Sequence, residues 1–260
     1  MPLAQVDFIK GPDQVVREIN AWVSERTQQR IRDLIALGTF DADSRLIIVN
    51  TVYLNAPWAY PFEEGATMPR LFLVRGHNSV NVPIMTTMEF EYWKRPKFSV
   101  VAIPYSFGVL RFLIYLPNKG MSLGDLEASL ASGDLGELGV PLDAPLALYL
   151  PQFKLEQVAL SLREVLFRLG MKSAFIPGES DFRRIEPGRR LYLSSIIQKA
   201  FLSIDERGTE AAAAAYGEFA EAGKPRGPPI EVHVDRPFIF AVQHVPSRAF
   251  LFLGRVTDPR

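Results

Sequence analysis

The run SRLIIVNTVYLNAPW, which begins at Ser44, carries apolar residues on both phases of a period-two repeat. Side chains alternate between the two faces of a strand, so such a run is satisfied only inside a sheet covered above and below. The chain must therefore build layers around a central strand. It has the material to do so, since 260 residues, 48% of them hydrophobic, suffice for one sizeable domain or two small ones. Asn50 falls within the run. A buried amide needs partners, so Asn50 reads as a structural hydrogen-bonding node rather than a catalytic group.

Elsewhere the pattern alternates between strands and scattered helices. Pro12 and Asp13 suit a first helical turn, and Val15, Ile19, Trp22 and Val23 share one face, which predicts a helix over residues 12–37 ended by Gly38. The segments RLFLV, NSVNVPIM, FEYWK, FSVVAIPY and LRFLIYLP read as antiparallel strands joined at turn residues such as Gly76, Asn78, Pro96 and Gly108. Helices are expected over residues 123–130 and 158–169, the second ended by Gly170, with a strand LALYLPQFKLE between them. PFIFAVQHV and AFLFLGRV, around the turn PSR, close the chain as two further strands. The class is α+β, mainly antiparallel β-sheet with surrounding helices.

Several functions are disfavoured by composition. Lys plus Arg and Asp plus Glu balance at 29 each, so no global field gathers nucleic acid or an anionic membrane. No apolar run is long enough to span a bilayer, and no secretory signal is legible. The absence of cysteine removes disulfides, thiol catalysis and thiolate metal sites. His77, His233 and His244 stand apart and read as surface or strand-edge residues. None of the GxSxG, HExxH, GxxxxGK or GxGxxG motifs occurs, so the chain is not expected to be an enzyme, nor to carry a metal or cofactor. DFRRIEPGRR reads as a solvated turn, with an anion or glycosaminoglycan site as the alternative.

One segment resists this scheme: IDERGTEAAAAAYGEFAEAGKPRGPP, residues 204–229, which by composition is a linker or an alanine-rich helix. IDERGTEAAAAA followed by DRPFIFAVQHVPSRAFLFLGRVTDP resembles the hinge, reactive loop and closing hairpin of the serpins. VNTVYLNAPWAYPF, VNVPIM, LYLPQFKLE and LREVLFRLGMKSAF match the family in order and spacing, so the likeness spans a single domain over nearly all of residues 1–260, with the hinge and loop at 206–229. The resemblance implies three β-sheets with helices around them and an exposed loop that a target serine protease mistakes for substrate. After cleavage the loop enters the main sheet as a new strand, and serpin insertion is itself a standing example of strand addition. The hinge would comprise Glu206, Gly208, Thr209, Glu210, Ala211, Ala212, Ala213, Ala214 and Ala215. Side chains sort by phase, with Thr209, Ala211, Ala213, Ala215, Gly217 and Phe219 on one and the acids Glu210 and Glu218 with Tyr216 on the other, expected to face solvent. Counting from Glu206 sets the scissile bond at Ala222–Gly223, suited to elastase-like or subtilisin-like pockets. Counting back from DRPF reaches Arg226–Gly227 and a trypsin-like target. Asn50, Trp58, Lys154 and Gln198 would control sheet opening, with an ion pair between Glu206 and Lys154.

Two features depart from the family. Residues 1–11 already resemble the strand ahead of a mid-chain helix, so an N-terminal helical layer is expected to be missing, leaving an apolar sheet face prone to association; the full-length form would be monomeric. Gln198 stands where the family often has histidine, and cannot gain a proton near neutral pH. The leading expectation is a suicide-substrate inhibitor acting outside the cell, with the cytoplasm as the alternative location. Its rivals are a noninhibitory relative (carrier, chaperone or storage protein) and an inactive truncated fragment.

Overall fold

A computed structural model describes residues 4–74, 78–88, 90–134, 138–156, 159–188, 191–210 and 228–260. The strands are β1 (Leu46–Tyr53), β2 (Ala56–Pro57), β3 (Met68–Leu73), β4 (Ser79–Met88), β5 (Glu91–Lys94), β6 (Phe98–Pro104), β7 (Leu110–Pro117) and β8 (Leu146–Pro151). They continue with β9 (Phe153–Glu156), β10 (Leu160–Ser161), β11 (Leu193–Ile204), β12 (Gly208–Thr209), β13 (Ile230–His233), β14 (Phe238–His244) and β15 (Phe250–Val256). The α-helices are α1 (Pro12–Arg26), α2 (Leu123–Ser129) and α3 (Arg163–Arg168). The span expected as one domain divides into two compact units, Met1–Leu54 with Leu155–Leu202, and Asn55–Lys154 with Ser203–Arg260. Among the described residues no helix is long and apolar enough to cross a membrane.

In the first unit, α1 begins as the sequence dictates, with Pro12 in its first turn and Asp13 complementing the helix dipole. It ends at Arg26, well short of residue 37. Thr27 Oγ1 donates to the Val23 carbonyl (2.8 Å) and accepts from the Ile31 amide (3.1 Å), while Gln28 and Gln29 take positive φ of 50° and 62°. The chain then doubles back, and the Asn20 amide clamps Ile35 through both backbone groups. Ile31, Leu34 and Ile35 join Val15, Val16 and Val23 in one apolar cluster with Ile197 and Phe201 of β11, so their helical spacing serves packing without a helical backbone. Trp22, expected on the buried face, is 41% exposed.

β1 runs parallel to β11, from Leu46 opposite Leu193 to Tyr53 opposite Phe201. Its cover is partial. Ile47, Val49 and Tyr53 pack on the α1 cluster, and Leu46 and Ile48 on a second cluster with Phe175, Leu193 and Ile196. Asn50 belongs to neither and is exposed, which corrects the expectation of a buried amide. The helix expected over 158–169 is likewise shortened: Leu160 and Ser161 pair with Gln198 and Ile197 as β10, and α3 starts at Arg163. Gly170, at φ +102°, ends it with the Gly170 amide on Phe167 O and the Met171 amide on Leu166 O, the paired bonds of a Schellman motif.

The second unit contains two sheets, ordered β13-β8-β4-β3 and β15-β14-β7-β6-β5. β13 is parallel to β8, and the other pairings are antiparallel. β6 is buried at every position but its last, as its unbroken apolar run requires. One side of this sheet packs Trp93, Phe98, Leu113, Tyr115 and Ile239 against Leu126 of α2. Ser122 and Asp125 form a reciprocal capping box at the start of α2, and the Ser122 bonds hold the Asp125 carboxyl below its ordinary pKa. Phe112 and Phe240 stack with rings 5.5 Å apart, Phe153 tilts against Phe240, and Phe238 meets Phe153 edge-on. Gly254 lies under that stack, and a Cβ there would meet the Phe240 ring at 2.6 Å. Gly254→Ala is expected to destabilise by about 1–3 kcal/mol, the usual cost of overpacking, read as a lower melting temperature with unchanged far-ultraviolet circular dichroism.

Candidate functional site

β11 delivers the chain to a tight turn at Asp205, Glu206 and Arg207. The Asp205 carboxylate accepts from the Arg207 and Gly208 amides (2.9 and 3.1 Å), and the Asp205 amide donates to Gly208 O (3.1 Å). The chain is thereby turned back on itself. β12 follows, with Thr209 opposite Ile204 on one side and Ala56 on the other, and Gly208 opposite Pro57, antiparallel to both neighbours. The fit admits only glycine at residue 208, where φ is +153° and a Cβ would lie 2.3 Å from the Ala56 carbonyl and 2.7 Å from Pro57 Cα. Glu210, at φ +50°, takes the chain out of extended conformation, its amide still bonded to Ser203 O (3.1 Å).

Trp58 and Tyr105 form the floor. Their rings stack at 4.6 Å, Trp58 Nε1 donates to Asp205 O (2.9 Å), and the Trp58 amide donates to Arg207 O (2.9 Å). The Tyr105 hydroxyl lies 2.5 Å from Thr209 Oγ1, with Tyr105 1% and Thr209 0% exposed. Burial raises the Tyr105 phenol well above its ordinary pKa, against a smaller opposing effect of the Thr209 bond, so it remains neutral.

The Glu206 carboxylate is held by neutral donors. Glu206 Oε1 accepts from Thr67 Oγ1 (2.5 Å) and Gln152 Nε2 (2.6 Å), and Glu206 O accepts from the Phe62 amide (2.8 Å). Gln152, just ahead of the β9 strand that carries Lys154, thus gives a half-buried carboxylate a neutral hydrogen-bond donor. Arg207 forms an exposed ion pair with Glu64 at 2.8 Å.

The remaining sequence-derived residues are dispersed. Asn50 lies directly opposite Gln198 in the β1–β11 ladder, with no side-chain bond between them among the described residues. Lys199 pairs with Glu156 at 3.4 Å. His233 stacks on Tyr149 at 4.2 Å and approaches Glu231, and His244 bonds Ser247. Arg183 of the basic run pairs with its neighbour Asp181 on the surface. Ala211, Ala212, Ala213, Ala214, Ala215, Ala222, Gly223, Arg226, Gly227 and His77 lie outside the described residues.

Residues 1–259 match the family model described as Serpin (serine protease inhibitor). The chain belongs to the serpin family. It is 31% identical over 260 residues to Serpin B10 of Sorex araneus and 34% identical over 267 residues to the leukocyte elastase inhibitor of Equus caballus. These matches cover 98% and 99% of this serpin chain and 65% and 70% of the two relatives, so the chain spans about two thirds of their length. The crystal structure of Serpin48 from the insect Tenebrio molitor matches with a TM-score of 0.82 at 29% identity, over 98% of this chain and 67% of that one. The α+β class and serpin-like architecture expected from the sequence are thus found.

Two predictions test this turn. Both donors to Glu206 reach one oxygen, which a glutamine can reproduce. Glu206→Gln should therefore leave the melting temperature nearly unchanged, whereas Glu206→Lys, which offers no acceptor, should cost about 1–3 kcal/mol. A strong effect of Gln would point to a cationic partner instead. Asp205 is raised above the ordinary aspartate pKa, chiefly by burial and in spite of its two amide bonds. The folded state then holds the proton more tightly than the unfolded state, so stability falls as pH rises from the ordinary aspartate value through the raised one. Asp205→Asn, which keeps the acceptor oxygen, should flatten that part of the melting-temperature profile.

Proposed function

We propose that this serpin chain acts as a suicide-substrate inhibitor of serine proteases, presenting the segment after Glu210 as bait and taking it, once cut, into the main sheet between β1 and β11. The observation that carries this reading is the sense and register of β12. A strand folded back from β11 must run antiparallel to it, and because β1 is parallel to β11, antiparallel to β1 as well. β12 already runs antiparallel to β11 and to β2. Continuing its register one residue at a time would set Ala213 against Ala200 and Val52, and Ala215 against Gln198 and Asn50. Val52–Ala200 and Asn50–Gln198 are themselves opposite pairs in the β1–β11 ladder, so the incoming strand would meet no slip. One parallel ladder would be exchanged for two antiparallel ones, which are slightly stronger per residue.

The alanine run gains a reason on both phases. On the phase of Thr209, small side chains match the fully buried position that Thr209 occupies. On the other, the same continuation would set Ala212 between Phe201 and Tyr53, an opposite pair on the face packed by α1. That phase would then meet apolar cover, where the sequence alone suggested solvent.

Ala222–Gly223 is the proposed scissile bond, with Arg226–Gly227 as the alternative. A small residue before the cut suits an elastase-like or subtilisin-like pocket, and this preference agrees with the name of the Equus caballus relative, leukocyte elastase inhibitor. Incubating the protein that carries this chain with an elastase-like protease should give an SDS-resistant adduct and a released peptide beginning at Gly223. A peptide beginning at Gly227, with a trypsin-like enzyme, would reassign the bait. Cleavage without adduct would make the protein a noninhibitory serpin. Thr209→Arg places a charge in a fully buried slot and should convert inhibitor to substrate, with adduct yield falling while loop cleavage persists.

A further inference from the structure

We propose that Tyr105 is a positioning residue that fixes how deeply the hinge rests in the sheet, through its hydroxyl bond to Thr209. Among the described residues, each hydroxyl has the other as its one side-chain hydrogen-bond partner. The phenol cannot move to find another. Its ring is pressed against Trp58, whose own ring meets Phe62 and Phe112 edge-on at 6.4 and 5.8 Å. Its amide is fixed on Leu110 O (3.0 Å), and Tyr105 and Trp58 are joined as a backbone bridge. Trp58 in turn grips the turn at Asp205 O and Arg207 O. One aromatic pair thus holds both ends of the five-residue segment that reverses the chain.

The hydroxyl pair adds something that shape alone does not. If the hinge withdraws, Thr209 regains water, but the Tyr105 hydroxyl is left in a buried site without its partner. The inserted position of Gly208 and Thr209 is favoured by that difference, and it removes two residues from the exposed bait. A protease that engages the loop must accept the shorter loop or break the latch; this consequence rests on the inhibitor reading above, whereas the latch itself does not.

The latch has a signature in paired substitutions, because removing one partner orphans the other while removing both leaves an apolar pair of nearly the same shape. In hydrogen exchange, the Glu210 amide, bonded to Ser203 O, and the Asp205 amide, bonded to Gly208 O, report the hinge. Tyr105→Phe and Thr209→Val should each speed exchange at both amides roughly tenfold, about 1.4 kcal/mol. The double variant should return close to the parent rate. Parent-like exchange in the single variants, or a double variant at least as fast as either single, would overturn the proposal. If Tyr105→Phe also loosens β6 and β7, Thr209→Val decides, since valine keeps the shape and alters only the hydroxyl. Adduct formation, measured on the same variants, separates the two ideas: if the exchange pattern is as expected but no variant or parent forms an adduct, the inhibitor reading fails and the latch stands.

Discussion

The slot between β11 and β2 is one backbone wide, and Gly208 and Thr209 fill it. The steric limit at Gly208 decides how closely the hinge approaches the residues after β1, because the chain there touches Ala56 and Pro57 with no room for a side chain. Other features follow from holding that approach. Asp205 turns the chain, Trp58 binds two carbonyls of the turn, and Glu206 is anchored from two separate elements by Thr67 and Gln152. Several of these groups are polar and half-buried, an arrangement that is stable only while every partner is present. A turn built in this way is specified by hydrogen-bond geometry more than by apolar area.

Much of the β framework was legible because apolar runs leave few alternatives. β6, β7, β14 and β15 lie within two residues of the segments read from their alternation or continuity. The start of α1 was equally plain from Pro12 and Asp13. Its end was not, because Ile31, Leu34 and Ile35 keep helical spacing while the backbone reverses at Thr27, Gln28 and Gln29. Periodicity records which residues are buried, and two different backbone paths can bury the same set. β10 and α3 show the same limit, since Leu160 joins a neighbouring strand through a pairing that local pattern does not contain.

At the turn after β11, the family resemblance pointed to the segment but not to its partners. The resemblance pointed from Glu206 to Lys154, and the neutral Gln152 amide two residues earlier, which also donates to Glu206, carries no charge by which the sequence could announce it. Tyr105 lies 104 positions from Thr209, in the turn after β6, and nothing in that turn advertises a buried hydroxyl. Asn50 and Gln198 lie opposite each other, yet the expected burial of Asn50 depended on cover that the described residues do not provide.

The chain has three tryptophans, and they occupy different environments. Trp22 stands 41% exposed on α1, while Trp58 and Trp93 are 1% and 4% exposed. An aqueous collisional quencher will therefore extinguish Trp22 first, leaving an emission dominated by buried indoles. Of those, Trp58 is stacked on Tyr105 and bonded to the hinge turn, so the light that survives quenching is sensitive to the turn's position. The molecule carries its own optical gauge of this turn, with no label attached.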